Sequence, residues 1–209
     1  MAFSDEQAMI LDSAQAFCRD KSDGNAVRSL LKSETGFNQD VWDEMVALGW
    51  TGLSIPEQFG GFAMGIGATV PLVESMGRHM LCTPYISATI AAQAIVRGGS
   101  ESQQTKWLPA MVQGTIGTLA LLDNEDWGAT STSCELTTKD GQLELKGKKL
   151  LVHDASVSDF FLVLAQHDGA EVLVIVESSQ LASNAITCKT LVDETKRAAN
   201  VDFTGVTIQ

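Results

Sequence analysis

Residues 142–176 read QLELKGKKLLVHDASVSDFFLVLAQHDGAEVLVIV, and this stretch decides the fold of the second half of the chain. It holds the continuous apolar runs FFLVLA and VLVIV, which predict strands covered on both faces. The pairs Asp140-Gly141 and Asp168-Gly169 precede and interrupt it, and such pairs favour tight hairpin turns with positive φ. We therefore expect an antiparallel sheet that forms a small barrel or sandwich.

Outward from this stretch, strand-like segments rich in Leu, Val, Ile and Thr continue over 116–122, 133–138 and 200–208. The four prolines, by contrast, all precede residue 110 (Pro56, Pro71, Pro84 and Pro109). The composition thus divides the chain near residue 115. We predict an α+β protein with an N-terminal all-α helical domain over 1–115, followed by an antiparallel β-barrel or sandwich domain over 116–209.

The first half carries helix start and stop signals. A capping box opens a first helix, an Asn cap and a glycine stop bound a second at about 39–48, and an almost wholly apolar third helix, expected to be deeply buried, ends at Gly98-Gly99. A second capping box opens a short helix that Pro109 is expected to interrupt. The start signals are Ser4 with Gln7, Asn38, Thr83-Pro84, and Ser100 with Gln103.

The charge balance excludes some classes of partner. The chain has 26 Asp and Glu against 14 Lys and Arg, a net charge of -12, which disfavours nucleic acid because phosphate binding needs clustered cations. No apolar stretch is long enough for a membrane span, and MAFSDEQ lacks the features of a signal peptide, so we expect a cytoplasmic protein. The four cysteines are widely spaced and are expected to be buried free thiols.

No motif by itself specifies a catalytic site. The glycine-rich PEQFGGFAMGIG, residues 56–67, lacks the order of a phosphate loop and favours a structural turn. The histidines His79, His153 and His167 would have to converge in space to hold a metal, and we expect no metal site. No nucleophile signature is present, so the residues alone predict no catalytic group.

Four segments in collinear order nevertheless resemble the acyl-CoA dehydrogenase family. LGWTGLSIPEQFGGFAMGIGATVPLVESMGRHM resembles its LGxxGLxxPExxGGxG segment and the following acid-containing helix. GSESQQTKWLPAMVQGTIGTLALLD is similar to GsxeQkxxxLPxlxxGexxxxxAlTEP, and LELKGKKLLVHDASVSDFFLVLAQ to GxKxWITNAxxADxxlVxA. VDETKRAANVDFTGVTI resembles the exit strand of the family's β domain.

The resemblance implies a fold and a reaction. In that family a helical domain and a β domain precede a C-terminal four-helix domain, which carries the usual catalytic glutamate. The sequence stops at Gln209, where that domain would begin, and we expect it to be absent. The family desaturates an acyl-CoA thioester: a carboxylate removes the α-proton while a hydride passes from Cβ to FAD.

The resemblance also implies site residues. The family's TEPxAGSD segment aligns near 122–128, and its WITN segment near 151–154. Cofactor-binding positions would then be Leu122, Asp123, Leu151, Val152 and His153, and substrate-binding positions Trp127 and Gly128. These residues depart from the family, because Leu122 has no hydroxyl and Leu151 replaces a tryptophan that packs on the flavin ring.

Other interpretations of these positions stay open. Leu122 and Leu151 can be inward-facing strand residues, and His153 a surface residue. Asp123, together with Glu125 and Asp126, would bring negative charge towards the cofactor's pyrophosphate. Trp127 is typical of an anchor or a pocket wall.

Two hypotheses about function follow. In the first, the chain is part of a flavin-dependent acyl-CoA α,β-desaturating oxidoreductase that needs a partner or the missing domain. In the second, it is a catalytically silent, flavin-free binding or assembly subunit. Both predict a homo- or hetero-oligomer with an acyl-CoA dehydrogenase-like chain, because a β domain without its helical cover should expose apolar surface; FFLVLA and VLVIV are the expected source.

Overall fold

The computed structural model describes residues 4–125, 132–139 and 141–208, and the chain divides into two compact units, Met1–Thr115 and Ile116–Gln209. The first unit is helical, and the second contains all the strands of the described residues. The α+β class is therefore confirmed. The helices are α1 Asp5–Lys21, α2 Gly24–Leu31, α3 Gln39–Ala47, α4 Val70–His79, α5 Tyr85–Gly98 and α6 Glu101–Val112.

The predicted helix starts are confirmed with one shift. Capping boxes form at Ser4 and Ser100, and the Asn38 side chain accepts from the Asp40 amide at the start of α3. The cap of α5 is Pro84, one residue later than expected. Each hydroxyl or amide oxygen engages a backbone N–H that would otherwise lack a partner.

Two helical expectations were wrong, and one helix was missed. Helix α2, capped by Asp23, was not predicted, and α6 continues through Pro109 to Val112. Helix α5 is buried on one face only, since Ile86 and Ile90 remain exposed on the other. One buried face suffices to hold a helix.

The glycine-rich stretch 56–67 forms a tight turn against the backbone. The amides of Phe62 and Ala63 donate to the carbonyls of Gly52 and Ile55, at 3.0 and 2.9 Å. A Cβ on Gly61 would lie 2.1 Å from the Ile55 carbonyl oxygen. The glycine at position 61 is therefore required by this close approach.

The second unit has two sheets. Their strands are β1 Gly117–Ala120, β2 Glu135–Lys139, β3 Gln142–Lys146, β4 Lys148–His153, β5 Phe160–His167, β6 Ala170–Glu177, β7 Ile186–Lys189, β8 Ala198–Asp202 and β9 Val206–Ile208. One sheet has the order β1-β5-β2-β3-β9 with β6 also paired to β5, and the other has the order β4-β8-β7. Side chains from both sheets form one core, in which the Phe161 and Phe203 rings meet edge to face at 5.5 Å.

The expected purely antiparallel sheet was wrong. β1 and β2 both pair with β5 in parallel, and neither sheet of the described strands closes into a barrel. The hairpins β2–β3 and β5–β6 do form, and Asp168 and Gly169 both have positive φ. A tight turn dictates only the strand that follows it, whereas β1 and β5 are joined by a long connection that leaves their direction open. Strand β7 was not predicted.

Only one of the two apolar runs is covered on both faces. The five side chains from Phe160 to Val163 and Ala165 are buried, whereas Leu173 on β6 is exposed. β5 lies between neighbours, and β6 pairs on one side with β5 alone. FFLVLA thus supplies core and not surface, contrary to the expectation of an exposed patch there.

Met80 ends α4 with its backbone in the left-handed region, at φ 55°. Its side chain is exposed. We expect Met80→Gly to raise the free energy of unfolding by up to about 1 kcal/mol, because glycine adopts this conformation without the Cβ penalty. Urea denaturation measures the effect. Met80→Ala keeps a Cβ and is the control; an equal gain from alanine would contradict the explanation.

Candidate functional site

The predicted cofactor positions meet where β4 passes the residues after β1. Leu122 and Leu150 form an antiparallel bridge in which the Leu150 amide donates to the Leu122 carbonyl at 2.7 Å. The structure therefore brings Leu122 and Asp123 close to the strand that carries Leu151, Val152 and His153. Trp127 and Gly128 lie outside the described residues.

A bulge in β4 shapes this region. The pairing of β4 with β8 shifts register between Lys149 and Val152, and Leu151 in the bulge has φ 49°. The Leu151 amide donates to the Asn200 side chain at 3.3 Å. A left-handed leucine costs of the order of 1–3 kcal/mol, and such strain is concentrated at functional sites.

Lys149 is the unusual residue of the region. Its side chain is fully buried, and its Nζ lies 2.7 Å from the Asp123 carboxylate. The same ammonium donates to the Thr132 hydroxyl at 2.7 Å and to the Leu121 carbonyl at 3.2 Å. A lysine is rarely fully buried unless it is paired, and here all three of its protons have acceptors.

The ion pair changes the expected electrostatics. One Asp123 oxygen binds Lys149 and the other accepts from the Ser133 amide at 3.1 Å. The Asp123 charge is therefore compensated inside the protein, and the repulsion expected between this carboxylate and a pyrophosphate does not apply to it. Glu125 is exposed, and Asp126 lies outside the described residues.

The thiol of Cys134, which is next to this network, is expected to be unreactive. Burial raises the pKa of Cys134, and the Lys149 charge opposes this only in part. A thiol with a raised pKa is neutral and a poor nucleophile at neutral pH. Of the four cysteines, Cys188 is exposed, so the expectation that all are buried was wrong.

The side chains at the five predicted cofactor positions do not by themselves fit FAD. Leu122 and Leu151 are apolar, both oxygens of Asp123 are engaged, and Val152 is buried in the core. His153 alone among the five presents an exposed polar side chain. A flavin ring needs hydrogen bonds to its nitrogen and oxygen atoms, and these side chains do not supply that set.

The described residues contain neither a cluster of metal-ligating side chains nor a helix that could span a membrane. In them no group of three or more His, Cys, Asp or Glu side chains is placed to hold a metal ion. None of the helices in the described ranges is both long enough and apolar enough to cross a bilayer.

Comparison with known proteins gives the family. The model of the acyl-CoA dehydrogenase N-terminal domain matches residues 4–115, more than half of the chain. The chain belongs to the acyl-CoA dehydrogenase family. The resemblance of the four sequence motifs is thereby confirmed at the level of the family.

Individual relatives agree. The chain is 30% identical to acyl-CoA dehydrogenase FadE27 of Mycobacterium tuberculosis over 151 residues, which cover 71% of this chain and 39% of that protein. It is 26% identical to (2S)-methylsuccinyl-CoA dehydrogenase of Cereibacter sphaeroides over 168 residues, covering 78% and 30%. The chain thus spans less than half of the length of these relatives.

A solved structure shows the same fold. The ChsE4-ChsE5 complex from Mycobacterium tuberculosis contains a chain that matches with a TM-score of 0.87 at 20% identity. The match covers 100% of this chain and 56% of that one. Both units of the present chain therefore have counterparts in the fold of that chain.

Sequence reasoning missed Lys149, Thr132 and Asn200. Lys148 and Lys149 are adjacent in a predicted strand, where successive side chains point to opposite faces. If one face of that strand packs on the core, one of the two lysines faces inward. No comparable signal identified Thr132 or Asn200.

Proposed function

We propose that the chain supplies the helical and β domains, 1–115 and 116–209, of a flavin-dependent acyl-CoA α,β-desaturating oxidoreductase. In this proposal a partner acyl-CoA dehydrogenase-like chain, or the family's third domain, supplies the flavin contacts and the catalytic base. FAD and acyl-CoA are the ligands of the assembly. Family membership and the names of the matched dehydrogenases support the reaction class.

One observation carries the need for a partner: four of the five side chains at the predicted cofactor positions are apolar, buried or already engaged, and His153 alone is exposed and polar. Leu122 and Leu151 offer no hydroxyl, and Asp123 is committed to Lys149 and Ser133. The matched ChsE4-ChsE5 structure is a complex, which is a precedent for an assembly of unlike chains with this fold.

We propose the following roles for this chain's residues. Leu122, Leu151 and the exposed His153 would form an apolar wall with one polar edge towards the ligand, and Val152 would contribute through its backbone. Trp127 and Gly128 remain the proposed acyl-CoA contacts. No catalytic residue is assigned to this chain.

A catalytically silent assembly subunit is the second candidate. The engagement of Asp123 by Lys149 and Ser133 supports this candidate as well as the first, because it leaves no Asp123 oxygen for a cofactor. The two candidates differ in one respect. The oxidoreductase part should raise turnover in a partner that it binds, whereas the silent subunit should bind without altering turnover. Exposed apolar side chains are available for such binding in the helical unit, including Phe62 and Val70.

We expect the chain alone to purify without flavin and to give no acyl-CoA turnover with added FAD. Loss of a placed base typically costs about 10²–10⁴ in rate. Absorbance of oxidised flavin and dye reduction with an acyl-CoA measure the two properties. Turnover by the chain alone that disappears in Glu125→Gln would overturn the proposal.

The partner is tested by co-expression with an acyl-CoA dehydrogenase-like chain of the same genome. We expect a flavin-containing complex by analytical ultracentrifugation, with dye-reduction turnover higher than that of the partner alone. A complex with unchanged turnover would support the silent subunit instead. A flavin-free 22.3 kDa monomer in every mixture would contradict both the partner chain of the proposal and the silent assembly subunit.

A further inference from the structure

The buried ammonium of Lys149 connects three segments of the second unit. Lys149 lies on β4, Leu121 and Asp123 follow β1, and Thr132 precedes β2. In the sequence, Asp123 precedes residues 126–131 and Thr132 follows them. One side chain therefore fixes both flanks of this stretch relative to β4.

The network extends from Lys149 to the backbone around it. The Ser133 amide donates to Asp123 and the Cys134 amide to the Thr132 hydroxyl, at 3.1 and 3.2 Å. That hydroxyl in turn donates to the Leu164 carbonyl on β5, at 3.3 Å. The ammonium is thus the centre of a set of hydrogen bonds whose outer members are backbone groups.

The predicted cofactor residues are next to this network. Leu122 lies between two of its acceptors, Leu121 and Asp123, and its carbonyl accepts from the Leu150 amide. The bulge residue Leu151 is two residues after Lys149 on the same strand. The position of Leu122 against β4 therefore depends on where Lys149 holds its neighbours.

We propose that Lys149 is a positioning residue, which holds Leu122 and Asp123 against the β4 bulge and so sets the shape of the candidate ligand face. This inference rests on the proposed function only in taking that face as the ligand side. A buried ion pair pays a large desolvation cost and is weak evidence for stability by itself. A fully satisfied buried polar network instead specifies one arrangement of the segments that it joins.

The test compares amide hydrogen exchange in the unchanged 209-residue chain and in its Lys149→Met variant, which keeps an unbranched stem and removes the charge. We expect exchange in the variant to be at least about tenfold faster at the amides of Ser133, Cys134 and Leu150. The amides of the β5–β6 hairpin report the general loss of stability, and their acceleration should be at least about tenfold smaller than that of the three amides. Such local opening is the signature of a lost positioning contact.

Lys148→Met is the matched control. Lys148 is adjacent on the same strand but exposed, with an ion pair to Asp202 at 3.0 Å. Removal of the Lys148 charge should leave the exchange rates of the three amides unchanged. If Lys149→Met does not fold, Asp123→Asn gives the same comparison, since it weakens the pair but keeps an acceptor for Ser133.

Equal acceleration at the three amides and at the hairpin would show a purely structural role and overturn the proposal. No acceleration at the three amides would overturn it as well. The measurement uses neither flavin nor a partner chain, so its failure is separate from a failure of the proposed function.

Discussion

Lys149→Met is expected to lower the free energy of unfolding of the 116–209 unit by about 3–5 kcal/mol. The substitution removes one member of a buried pair and leaves the Asp123 carboxylate, whose side chain is 8% exposed, without its counter-charge. The Thr132 hydroxyl and the Leu121 carbonyl lose a donor at the same time. Urea denaturation followed by far-UV circular dichroism measures the change.

Lys148→Met again serves as the control. The Lys148 side chain is 68% exposed, and an exposed ion pair is worth only about 0–1 kcal/mol, so its loss should be small. The two substitutions share the residue type, the strand and the replacement. The difference between their losses in the free energy of unfolding therefore reports the effect of burial.

A double-mutant cycle separates the pair from its surroundings. In Lys149→Met with Asp123→Asn no buried charge remains unpaired, and the amide still offers an acceptor to Ser133. We expect the double variant to be more stable than Lys149→Met alone. Strictly additive losses would show that the two groups do not interact, contrary to their 2.7 Å separation.

The sequence predicted those parts of the fold that local chemistry determines. Capping boxes at Ser4 and Ser100 and the Asp168-Gly169 hairpin depend on residues a few positions apart, and all three form as expected. The parallel pairing of β1 with β5 depends on residues 43 positions apart in the register Gly117 to Phe160. No turn chemistry encodes that choice.

The candidate site shows the same limit. The family resemblance indicated Leu122 and Leu151, and the structure places both beside the Leu122–Leu150 bridge. Whether they bind a cofactor stays a prediction. The commitment of Asp123 to Lys149 was not predicted, because it requires the tertiary approach of two segments 26 positions apart.

Gly61→Ala is the second large effect that we expect, a loss of about 3 kcal/mol or more in the stability of the 1–115 unit. Overpacking typically costs about 1–3 kcal/mol where side chains can give way. Here the new Cβ would meet the Ile55 carbonyl oxygen at 2.1 Å and the carbonyl carbon at 2.6 Å. Backbone atoms of a fully buried residue cannot move aside as a flexible side chain can.

The damage should extend beyond the one contact. The turn that contains Gly61 is held by amides of Phe62, Ala63 and Met64 that donate to carbonyls of residues 52–55. Relief of the clash requires this turn to lift away, and these hydrogen bonds would break together. Denaturation of the variant, and faster exchange of those three amides, test the expectation.

Gly77→Ala is the matched control, with the opposite expected sign. Gly77 lies inside α4, and a Cβ there would meet no atom within 4 Å. Alanine in a helix interior is favoured over glycine by roughly 0.5–1 kcal/mol, so this variant should gain stability. If Gly61→Ala were also neutral or stabilising, the glycine at position 61 would not be required by the approach of the turn to Ile55, and the structural interpretation of the 56–67 stretch would be wrong.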